Sequence, residues 1–353
     1  MQNNNKQRYY KIKKLILIIF TCFALVGCGN ETNNNPQTHA LSIPSGASNE
    51  NESKSVQPDS TAVDKSDLRG IAYNGSNLYV AVGFMGKILT STDRITWTAR
   101  QSGTVKCLWA VTWGGGQFVA VGDEGIILIN WTYADSGTSA GLMKVMWDGR
   151  QFVASGRGIV LTSADGAGWA GWIVPDIALN NGSGDKILYD IADILWDGKQ
   201  YIATGGGNFV LTSSNLEKWV TRIPNSLGTG MFCDLTWNSK RYIAVGDHLA
   251  MMTSLDGRKW TNEDLRINQI ESVDDYYTLC LWSVVWGQDK FIAAGHRGLI
   301  ITSVDGLDWS IVPPVTRAGL NQVFWDGKQY IAVGYNETII TSADGIKWTI
   351  NKS

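Results

Sequence analysis

A unit of about 41 residues recurs seven times between Leu68 and Ser353, and a period of this length is typical of solenoids, propellers and repeat arrays. Each copy has the same order of an aromatic anchor, a turn, an apolar run, a second turn and a closing aromatic residue. The chain from residue 68 onward is therefore built from one repeated unit. The unit is clearest at 196–219 (WDGKQYIATGGGNFVLTSSNLEKW), 286–309 (WGQDKFIAAGHRGLIITSVDGLDW) and 325–348 (WDGKQYIAVGYNETIITSADGIKW), and looser copies begin at Tyr73, Trp113, Trp147 and Trp237.

Each copy is predicted to form four short strands, because runs of β-branched and aromatic residues alternate with turn residues. In the last copy, Asp326-Gly327 suits a two-residue hairpin turn. We therefore predict an all-β, seven-bladed β-propeller of four-stranded blades over residues 68–353. An open β-solenoid is less favoured because its coils are shorter. The strands predicted for the last copy are Leu320–Trp325, Tyr330–Val333, Thr338–Thr341 and Trp348–Ile350.

Tryptophan follows the repeat closely. The chain has 16 Trp residues, and 12 of them occupy one of two positions in a copy. Most of the tryptophan is therefore expected in the core and not in a ligand stack. The anchors are Trp113, Trp147, Trp196, Trp237, Trp286 and Trp325, and the closing residues are Trp97, Trp169, Trp219, Trp260, Trp309 and Trp348.

Residues 1–27 have the pattern of a secretory signal peptide. Five basic residues precede an apolar run from Leu15 to Gly27, which is shorter than the roughly 20 residues that span a bilayer. The run ends in Leu25-Val26-Gly27-Cys28, which resembles the bacterial lipoprotein box. That resemblance implies that Cys28 is lipidated and becomes the first residue of the mature chain, and about two acyl chains suffice for stable anchoring. The alternative is an ordinary signal peptide with an incidental Cys.

Residues 28–67 are predicted to form a disordered spacer that holds the propeller off the membrane, because Asn, Ser, Thr, Glu and Pro dominate this stretch. Removal of residues 1–27 would leave 25 basic and 32 acidic residues, hence a net charge of −7. Nucleic-acid binding requires Lys and Arg against phosphates. An acidic chain without a basic patch is therefore predicted not to bind nucleic acid.

The second turn of a copy follows the pattern Ser-x-Asp-Gly-x-x-Trp, as in Ser163 to Trp169 and Ser342 to Trp348. The first copy has Arg94 in place of Gly, the fourth has Asn215 in place of Asp, and the second copy lacks the motif. The pattern resembles the Asp box of bacterial neuraminidase repeats, and the whole repeat resembles propellers of the photosystem II stability and assembly factor type. The resemblance implies that the Asp side chain is structural, accepting N–H bonds within its turn. The predicted structural residues are Asp93, Asp165, Asp256, Asp305 and Asp344.

The loops after the second strand are the predicted binding surface, because the repeat keeps its strands and varies these residues. In a propeller these loops and the links between blades gather on one face. Two long links, 170–185 and 261–279, join that face and mix acidic with aromatic residues. The candidate binding residues are Phe84, Met85, Asp123, Glu124, Arg157, Asn208, Asp247, His248, His296, Arg297, Tyr335, Asn336 and Glu337.

Catalytic motifs are weak, and no catalytic residue is predicted. Arg222-Ile223-Pro224 matches a sialidase motif in letters but lies in the middle of the chain. Gly137 to Gly141 fits G-x-S-x-G, yet it stands in a loop between β units without the strand-turn-helix context of a nucleophile elbow. Cys107, Cys233 and Cys280 are predicted on innermost strands as buried thiols. Three His residues leave little room for a metal site, so no metal and no cofactor is predicted.

The predicted protein is a monomeric lipoprotein in the bacterial cell envelope, outside the cytoplasm. Its predicted function is noncatalytic binding of an envelope protein or the assembly of a complex. The alternative is a surface protein that binds or hydrolyses glycans, which a carboxylate pair or an arginine cluster in the central channel would favour. A third possibility is a structural spacer, which a featureless loop surface would favour.

Overall fold

The computed structural model describes residues 66–174, 190–207, 209–222, 230–263, 265 and 279–352, and the backbone of 179–180 and 186–187. Cys28, Asn208, residues 1–27 and almost all of the spacer lie outside the described residues, so the predictions for them stay predictions. Within the described ranges, no helix is long and apolar enough to cross a membrane.

Seven antiparallel sheets of four strands confirm the predicted seven-bladed β-propeller, and the strand order within each sheet follows the chain. Blades 1 to 3 contain β1 (Leu68–Tyr73), β2 (Tyr79–Gly83), β3 (Ile88–Ser91) and β4 (Thr98–Arg100); β5 (Leu108–Gly114), β6 (Gln117–Gly122), β7 (Ile127–Ile129) and β8 (Thr132–Ala134); and β9 (Leu142–Trp147), β10 (Phe152–Gly156), β11 (Ile159–Ser163) and β12 (Ala170–Ile173). A short hairpin follows, of β13 (Leu179–Asn180) and β14 (Lys186–Ile187). Blades 4 and 5 contain β15 (Ile191–Trp196), β16 (Tyr201–Gly205), β17 (Val210–Ser213) and β18 (Val220–Arg222), and β19 (Phe232–Trp237), β20 (Tyr242–Gly246), β21 (Met251–Ser254) and β22 (Thr261–Glu263). Blades 6 and 7 contain β23 (Leu281–Gly287), β24 (Lys290–Gly295), β25 (Ile300–Ser303) and β26 (Ser310–Val312), and β27 (Leu320–Trp325), β28 (Tyr330–Gly334), β29 (Ile339–Ser342) and β30 (Thr349–Lys352).

The first strand of each blade is the innermost strand of the ring. Each first strand contacts the first strand of the next blade, and β27 contacts β1. Because the strands of a blade alternate in direction, the turns sort onto two faces. The loop face contains the turns that follow the second strands β2, β6, β10, β16, β20, β24 and β28, and the hairpin face contains the turns between first and second and between third and fourth strands.

The strands predicted for the last copy agree with β27–β30 to within a residue or two at their ends. Blade 2, which lacks the Ser-x-Asp-Gly motif, joins β7 and β8 through Asn130 and Trp131, both with positive φ (45° and 74°). Two successive left-handed residues are the signature of a type I′ hairpin turn. Trp131 stacks on Phe118 with ring centroids 6.0 Å apart, so it takes the place of the missing closing Trp.

Aromatic side chains fill the space between blades. Trp147 and Trp325 lie against the backbone of the preceding blade, where a Cβ on Gly114 or Gly287 would approach them to 2.2 and 2.4 Å. Such close packing excludes any larger residue at these two glycines. Elsewhere a tyrosine makes a polar contact across the junction: the hydroxyl of Tyr201 donates to Asp148 Oδ2 at 2.5 Å.

A ring of seven equivalent residues on the first strands links the blades around the axis. Four of its polar members accept a backbone N–H of the next blade. Gln322 Oε1, for example, accepts the N–H of Ile71 at 2.6 Å, and Ser283 Oγ accepts the N–H of Val323 at 3.1 Å. We call this set the inner ring. Its members are Gly70, Ala110, Lys144, Asp193, Asp234, Ser283 and Gln322, which pair in register with the residue before the last glycine of each second strand.

The ring closes between blades 7 and 1 without any exchange of strands, since each blade is a continuous stretch of chain. An apolar cluster that includes Leu68, Tyr79 and Ile331 spans this junction. Arg94, which stands in place of Gly in the first turn motif, donates to Tyr79 Oη at 3.0 Å and lies 3.4 Å from Asp326 Oδ2. Arg94 therefore forms an ion pair with Asp326 at the junction between blades 7 and 1, which the usual Gly at this position could not form.

Candidate functional site

Among the described residues, five of the seven blades form the same tight turn on the loop face. The residue that follows each three-residue turn donates its N–H to the carbonyl of the turn's first residue, at 2.9–3.1 Å. The middle residue is left-handed, with φ between 52° and 56°. That conformation is uncommon for residues with a side chain, and four of the five middle side chains are exposed. The turns are Phe84–Gly86, Asp123–Gly125, Asp247–Leu249, His296–Gly298 and Tyr335–Glu337.

The first strands add side chains to the loop face through β-bulges. Strand pairing shifts register between Leu68 and Gly70 in blade 1, and equivalent shifts occur in the other blades. A bulge re-aims one side chain relative to the regular strand. The bulged residues of blades 1, 2 and 6 are Arg69, Trp109 and Trp282. The indole N–H of Trp109 donates to Asp123 Oδ1 at 2.6 Å, which ties this bulge to the neighbouring turn.

Bulges and turns together build a continuous aromatic arc across blades 6, 7, 1 and 2. The guanidinium of Arg69 lies 5.1 Å from the ring centroid of Trp109 and 5.4 Å from that of Tyr335. The ring of Trp282 continues the row, 5.4 Å from Tyr335 and 5.7 Å from His296. The aromatic arc consists of His296, Trp282, Tyr335, Arg69, Trp109 and Asp123.

Arg69 is the charged centre of the arc. Its side chain is only 9% exposed and pairs with Asp67 at 3.5 Å. One terminal nitrogen donates to Asn321 Oδ1 at 3.3 Å, and the buried Nε has no hydrogen-bond partner. Burial raises the pKa of Tyr335, although the charge of Arg69 opposes the shift. The aromatic rings of the arc are therefore arranged around the guanidinium of Arg69, which is fixed in place and partly neutralised by Asp67.

The predicted loop residues divide into groups in the structure. Asp123, His296 and Tyr335 belong to the aromatic arc, and the exposed Arg157 forms a β-bridge with Asp190 at the blade 3–4 link. Glu337 differs from the prediction of a surface residue: it is 6% exposed. It accepts from Lys87 at 2.7 Å and pairs with Lys352 at 3.2 Å, so it joins blades 1 and 7 beneath the surface. The remaining described residues, Phe84, Met85, Glu124, Asp247, His248, Arg297 and Asn336, lie in the turns of blades 1, 2, 5, 6 and 7.

Two carboxylates on the loop face have raised pKa values. Burial raises the pKa of Asp247, and hydrogen bonds from Cys280 and the backbone of Met231 offset only part of the effect. Burial also raises the pKa of Asp190, against the opposing charge of Arg157. Perturbed carboxylates gather at functional sites and also in structural networks. Asp247 Oδ2 accepts the N–H of Met231 at 3.2 Å, which is a structural contact between the turn and the residue that precedes β19.

Sequence reasoning missed Arg69, Trp109 and Trp282. A signal for them exists in the repeat: each stands four residues before the anchor of its copy. Trp109 and Trp282 are also two of the four Trp residues that occupy neither repeated position. Unlike Trp131, which stacks on Phe118 as a closing residue, these two Trp residues lie in the arc.

The five aspartates of the turn motif lie on the hairpin face. Each Oδ1 accepts the N–H groups two and three residues later, at 2.7–3.1 Å. These bonds hold the pKa of all five carboxyls below the ordinary value, to about 2 for Asp93. The indole N–H of Trp97 donates to the carbonyl of Arg94 at 2.9 Å, and most closing Trp residues repeat this bond.

The inner ring contains a carboxylate pair beside a lysine. Lys144 Nζ lies 2.8 Å from Asp193 and 3.4 Å from Asp234. Burial raises the pKa of Asp193 well above its ordinary value. Burial acts on Asp234 too, but Lys144 and hydrogen bonds outweigh it and leave that pKa lowered. The two residues are 1% and 8% exposed and accept backbone N–H groups of the following blades. Each bond engages one oxygen of a carboxylate in a contact between blades, and burial leaves both groups little exposed to a glycan substrate.

The other catalytic candidates occupy structural positions. Gly137 to Gly141 lies in the loop between β8 and β9, without a helix. Arg222 is in β18 and donates to Thr212 Oγ1 at 3.3 Å, whereas residues 223 and 224 lie outside the described part. The prediction of three cysteines on innermost strands needs a correction. Cys233 is in β19, but Cys107 and Cys280 each precede their strand by one residue. All three are thiols; Cys107 and Cys280 are buried as predicted, whereas Cys233 is half-buried. No group of three metal-binding side chains occurs in the described ranges.

Known structures share this fold. The chain is similar to YCF48 bound to D1 peptide, with 12% identity and a TM-score of 0.61 over 79% of this chain and 94% of that one. It is also similar to YCF48 from Cyanidioschyzon merolae, with 15% identity and a TM-score of 0.61 over 79% and 96%. The extracellular domain of the one-component system BT4673 from B. thetaiotaomicron matches with 9% identity and a TM-score of 0.60 over 80% and 39%. Neither a family model nor a curated protein matches the chain. At these identities the likeness shows a shared seven-bladed propeller fold.

Proposed function

We propose that this protein is a noncatalytic binding module whose loop face holds a peptide segment of a protein partner. The observation that carries the proposal is the aromatic arc. Trp, Tyr and Arg are the residues most enriched among the energetically dominant contacts of protein interfaces. Here they lie in one row across four blades, between 5.1 and 5.7 Å apart. A row of this kind matches an extended segment better than it matches a small molecule.

Two further observations support a rigid, preformed surface. Arg69 is held by Asp67 and Asn321, and Trp109 is held by Asp123. Side chains already fixed in the unbound protein lose less entropy when a partner binds. One of the similar propellers, YCF48, is described as bound to D1 peptide, which is consistent with peptide recognition by this fold.

We further propose that the module is anchored to the outside of a bacterial cytoplasmic or outer membrane through lipidated Cys28. The chain enters β1 on the loop face, where Asp67 Oδ1 accepts the N–H of Asn336 at 3.1 Å. A tether attached there would keep the arc close to partners in or near the same membrane. The assembly of an envelope complex is the function that best fits this arrangement.

The alternative, glycan binding or hydrolysis at the central channel, has one feature in its favour. A carboxylate pair does occur there, in Asp193 and Asp234. However, Lys144 lies within 3.4 Å of both carboxylates, and one oxygen of each already accepts a backbone N–H of the next blade. Their burial supports a role in joining blades.

The test is site-specific photo-crosslinking in native membranes, read by mass spectrometry. A photoreactive residue at Arg297, which is exposed beside the arc, should capture a defined partner. The same photoreactive residue placed at Lys347, which is exposed on the hairpin face, is the matched control. A Trp282→Ala and His296→Ala background should abolish the Arg297 adduct and leave the thermal transition within about 5 °C. An adduct that persists in this background would refute the arc as the binding site.

Lipidation is tested separately. Cys28→Ser should release the protein from the membrane fraction, and mass spectrometry of the wild type should show an acylated N-terminal Cys. An unmodified chain that remains soluble would refute the anchor without affecting the proposal for the loop face.

A further inference from the structure

The middle of the aromatic arc offers hydrogen-bond donors to a partner. The half-buried ring of Trp282 packs on its neighbours, but its indole N–H donates to none of the residues that the structure describes. Arg69 can only donate, so the Tyr335 hydroxyl that it engages accepts this bond and keeps its own O–H for another acceptor. A segment bound across Trp282 and Tyr335 must therefore bring acceptors.

A proline-rich segment meets this requirement, because each proline has a backbone carbonyl and no N–H. In the polyproline II conformation the backbone forms no internal hydrogen bonds, so its carbonyls can accept from side chains of a partner. An ordinary extended segment instead pairs its N–H groups with the open edge of a sheet. The arc consists of side chains from β-bulges and turns rather than of a strand edge.

The spacing of the rings also suits a polyproline II helix. The ring centroids of Trp109 and Tyr335 lie 5.1 and 5.4 Å from the guanidinium carbon of Arg69. The two distances laid end to end give a separation of at most about 10.5 Å between these rings, which admits the roughly 9.3 Å advance of one polyproline II turn. Trp282 continues the row 5.4 Å beyond Tyr335. Aromatic side chains in a row are the surface on which proline-rich segments dock.

The blade 2 end of the arc carries a negative charge. Asp123 Oδ1 accepts the indole N–H of Trp109, and within the described ranges its other oxygen accepts no hydrogen bond. The positive charge of Arg69 is less available to a partner, because the side chain is 9% exposed and pairs with Asp67 at 3.5 Å. Complementary charges across an interface select the matching partner. A basic residue next to the prolines would therefore complement Asp123.

We propose that the segment held by the aromatic arc is a proline-rich stretch in the polyproline II conformation, with a basic residue at the end that lies against Asp123. This inference rests on the proposed peptide binding at the loop face and names the chemistry of the bound segment. A polyproline II segment is already extended before it binds, so it loses little conformational entropy on the preformed arc.

The test is isothermal titration calorimetry of the purified full-length chain with two capped peptides, each of nine prolines with one arginine at either the N-terminal or the C-terminal end. At least one of them should bind, and replacement of its prolines by alanine should weaken binding at least about tenfold. Removal of the arginine should weaken binding roughly twofold to fivefold. Failure of both proline peptides to bind, or equal binding of the alanine peptide, would overturn the proposal.

Two variants locate the binding on the arc. Trp282→Phe keeps an aromatic ring and removes the N–H, so it should weaken binding of the proline peptide about threefold to tenfold. Trp172→Phe, in β12 on the outer edge of blade 3, is the matched control and should leave the affinity unchanged. Asp123→Asn should abolish the preference for arginine and preserve binding of the proline peptide without arginine. Unchanged affinity in Trp282→Phe, or a preference for arginine that survives in Asp123→Asn, would refute the assigned contacts.

Photo-crosslinking at Arg297 separates this inference from the proposed function. A captured partner whose crosslinked segment is poor in proline would overturn the inference and leave peptide binding at the loop face intact. Binding of the proline peptides to the purified chain without any partner captured in native membranes would support the chemistry of the arc and count against the proposed function.

Discussion

Among the residues of the inner ring, Asp234 is the one whose substitution we expect to lower the stability of the propeller most. Its Oδ2 accepts the hydroxyl of Ser283 at 2.7 Å and the N–H of Val284 at 2.9 Å, both from the next blade. Its other oxygen lies 3.4 Å from Lys144. We expect Asp234→Ala to destabilise the propeller by breaking the link between blades 5 and 6.

The magnitude follows from the donors left behind. A buried donor without an acceptor costs about 1–3 kcal/mol, so two of them lower the free energy of unfolding by roughly 2–6 kcal/mol. Lys144 adds little, because it is 23% exposed and keeps Asp193 at 2.8 Å. A loss of about 3 kcal/mol corresponds to a fall in Tm of roughly 5 °C in a domain of about 290 residues.

The assay is chemical and thermal denaturation of the propeller. Asp234→Asn keeps one acceptor oxygen and should fall between the wild type and Asp234→Ala. Asp308→Ala, an exposed carboxylate on blade 6, is the matched control and should change stability by less than about 0.5 kcal/mol. A Tm within 2 °C of the wild type for Asp234→Ala would refute the assignment of Asp234 as a buried link.

Three further outcomes are expected. Glu337→Ala should cost about 2 kcal/mol in denaturant unfolding, because two partly exposed lysines lose their buried partner, whereas the exposed Glu124→Ala should cost under about 1 kcal/mol. Hydrogen bonds within the turn lower the pKa of Asp93 to about 2. The stabilisation that this carboxylate provides is therefore present above its unfolded pKa of about 4 and is lost as pH falls toward 2. Asp93→Asn should flatten the plot of Tm against pH in this range. Gly257→Ala should lower the Tm, since Gly257 has φ +70° and a Cβ there would lie 2.7 Å from Ile202, and an unchanged Tm would contradict that packing.

Local signals made the propeller predictable. The period, the Asp-Gly turns and the apolar runs are all properties of adjacent residues, which is why β27–β30 were predicted to within a residue or two. The turns of the loop face were predicted for the same reason: Asp123, His296 and Tyr335 occupy equivalent positions in their copies.

Contacts set by ring closure were not predictable in this way. Arg69 meets Tyr335 only because blade 7 returns to blade 1, although the two residues are far apart in the chain. Glu337 looked like a surface residue because its partner Lys87 is in the first blade. The inner ring left a weaker trace, since aligned copies place Lys144 and Asp193 where blades 1 and 2 have Gly and Ala.

The closing junction has a consequence for how the chain can be rearranged. Asp67, before the first strand, and Lys352, in the last strand, both contact the turn Tyr335–Glu337. A short linker could therefore join them, and the chain could be opened between any two other blades without cutting a sheet. No sheet combines strands of blade 1 with strands of blade 7. Circular permutants of the propeller that begin at β5 or β23 should therefore keep the same seven intact sheets.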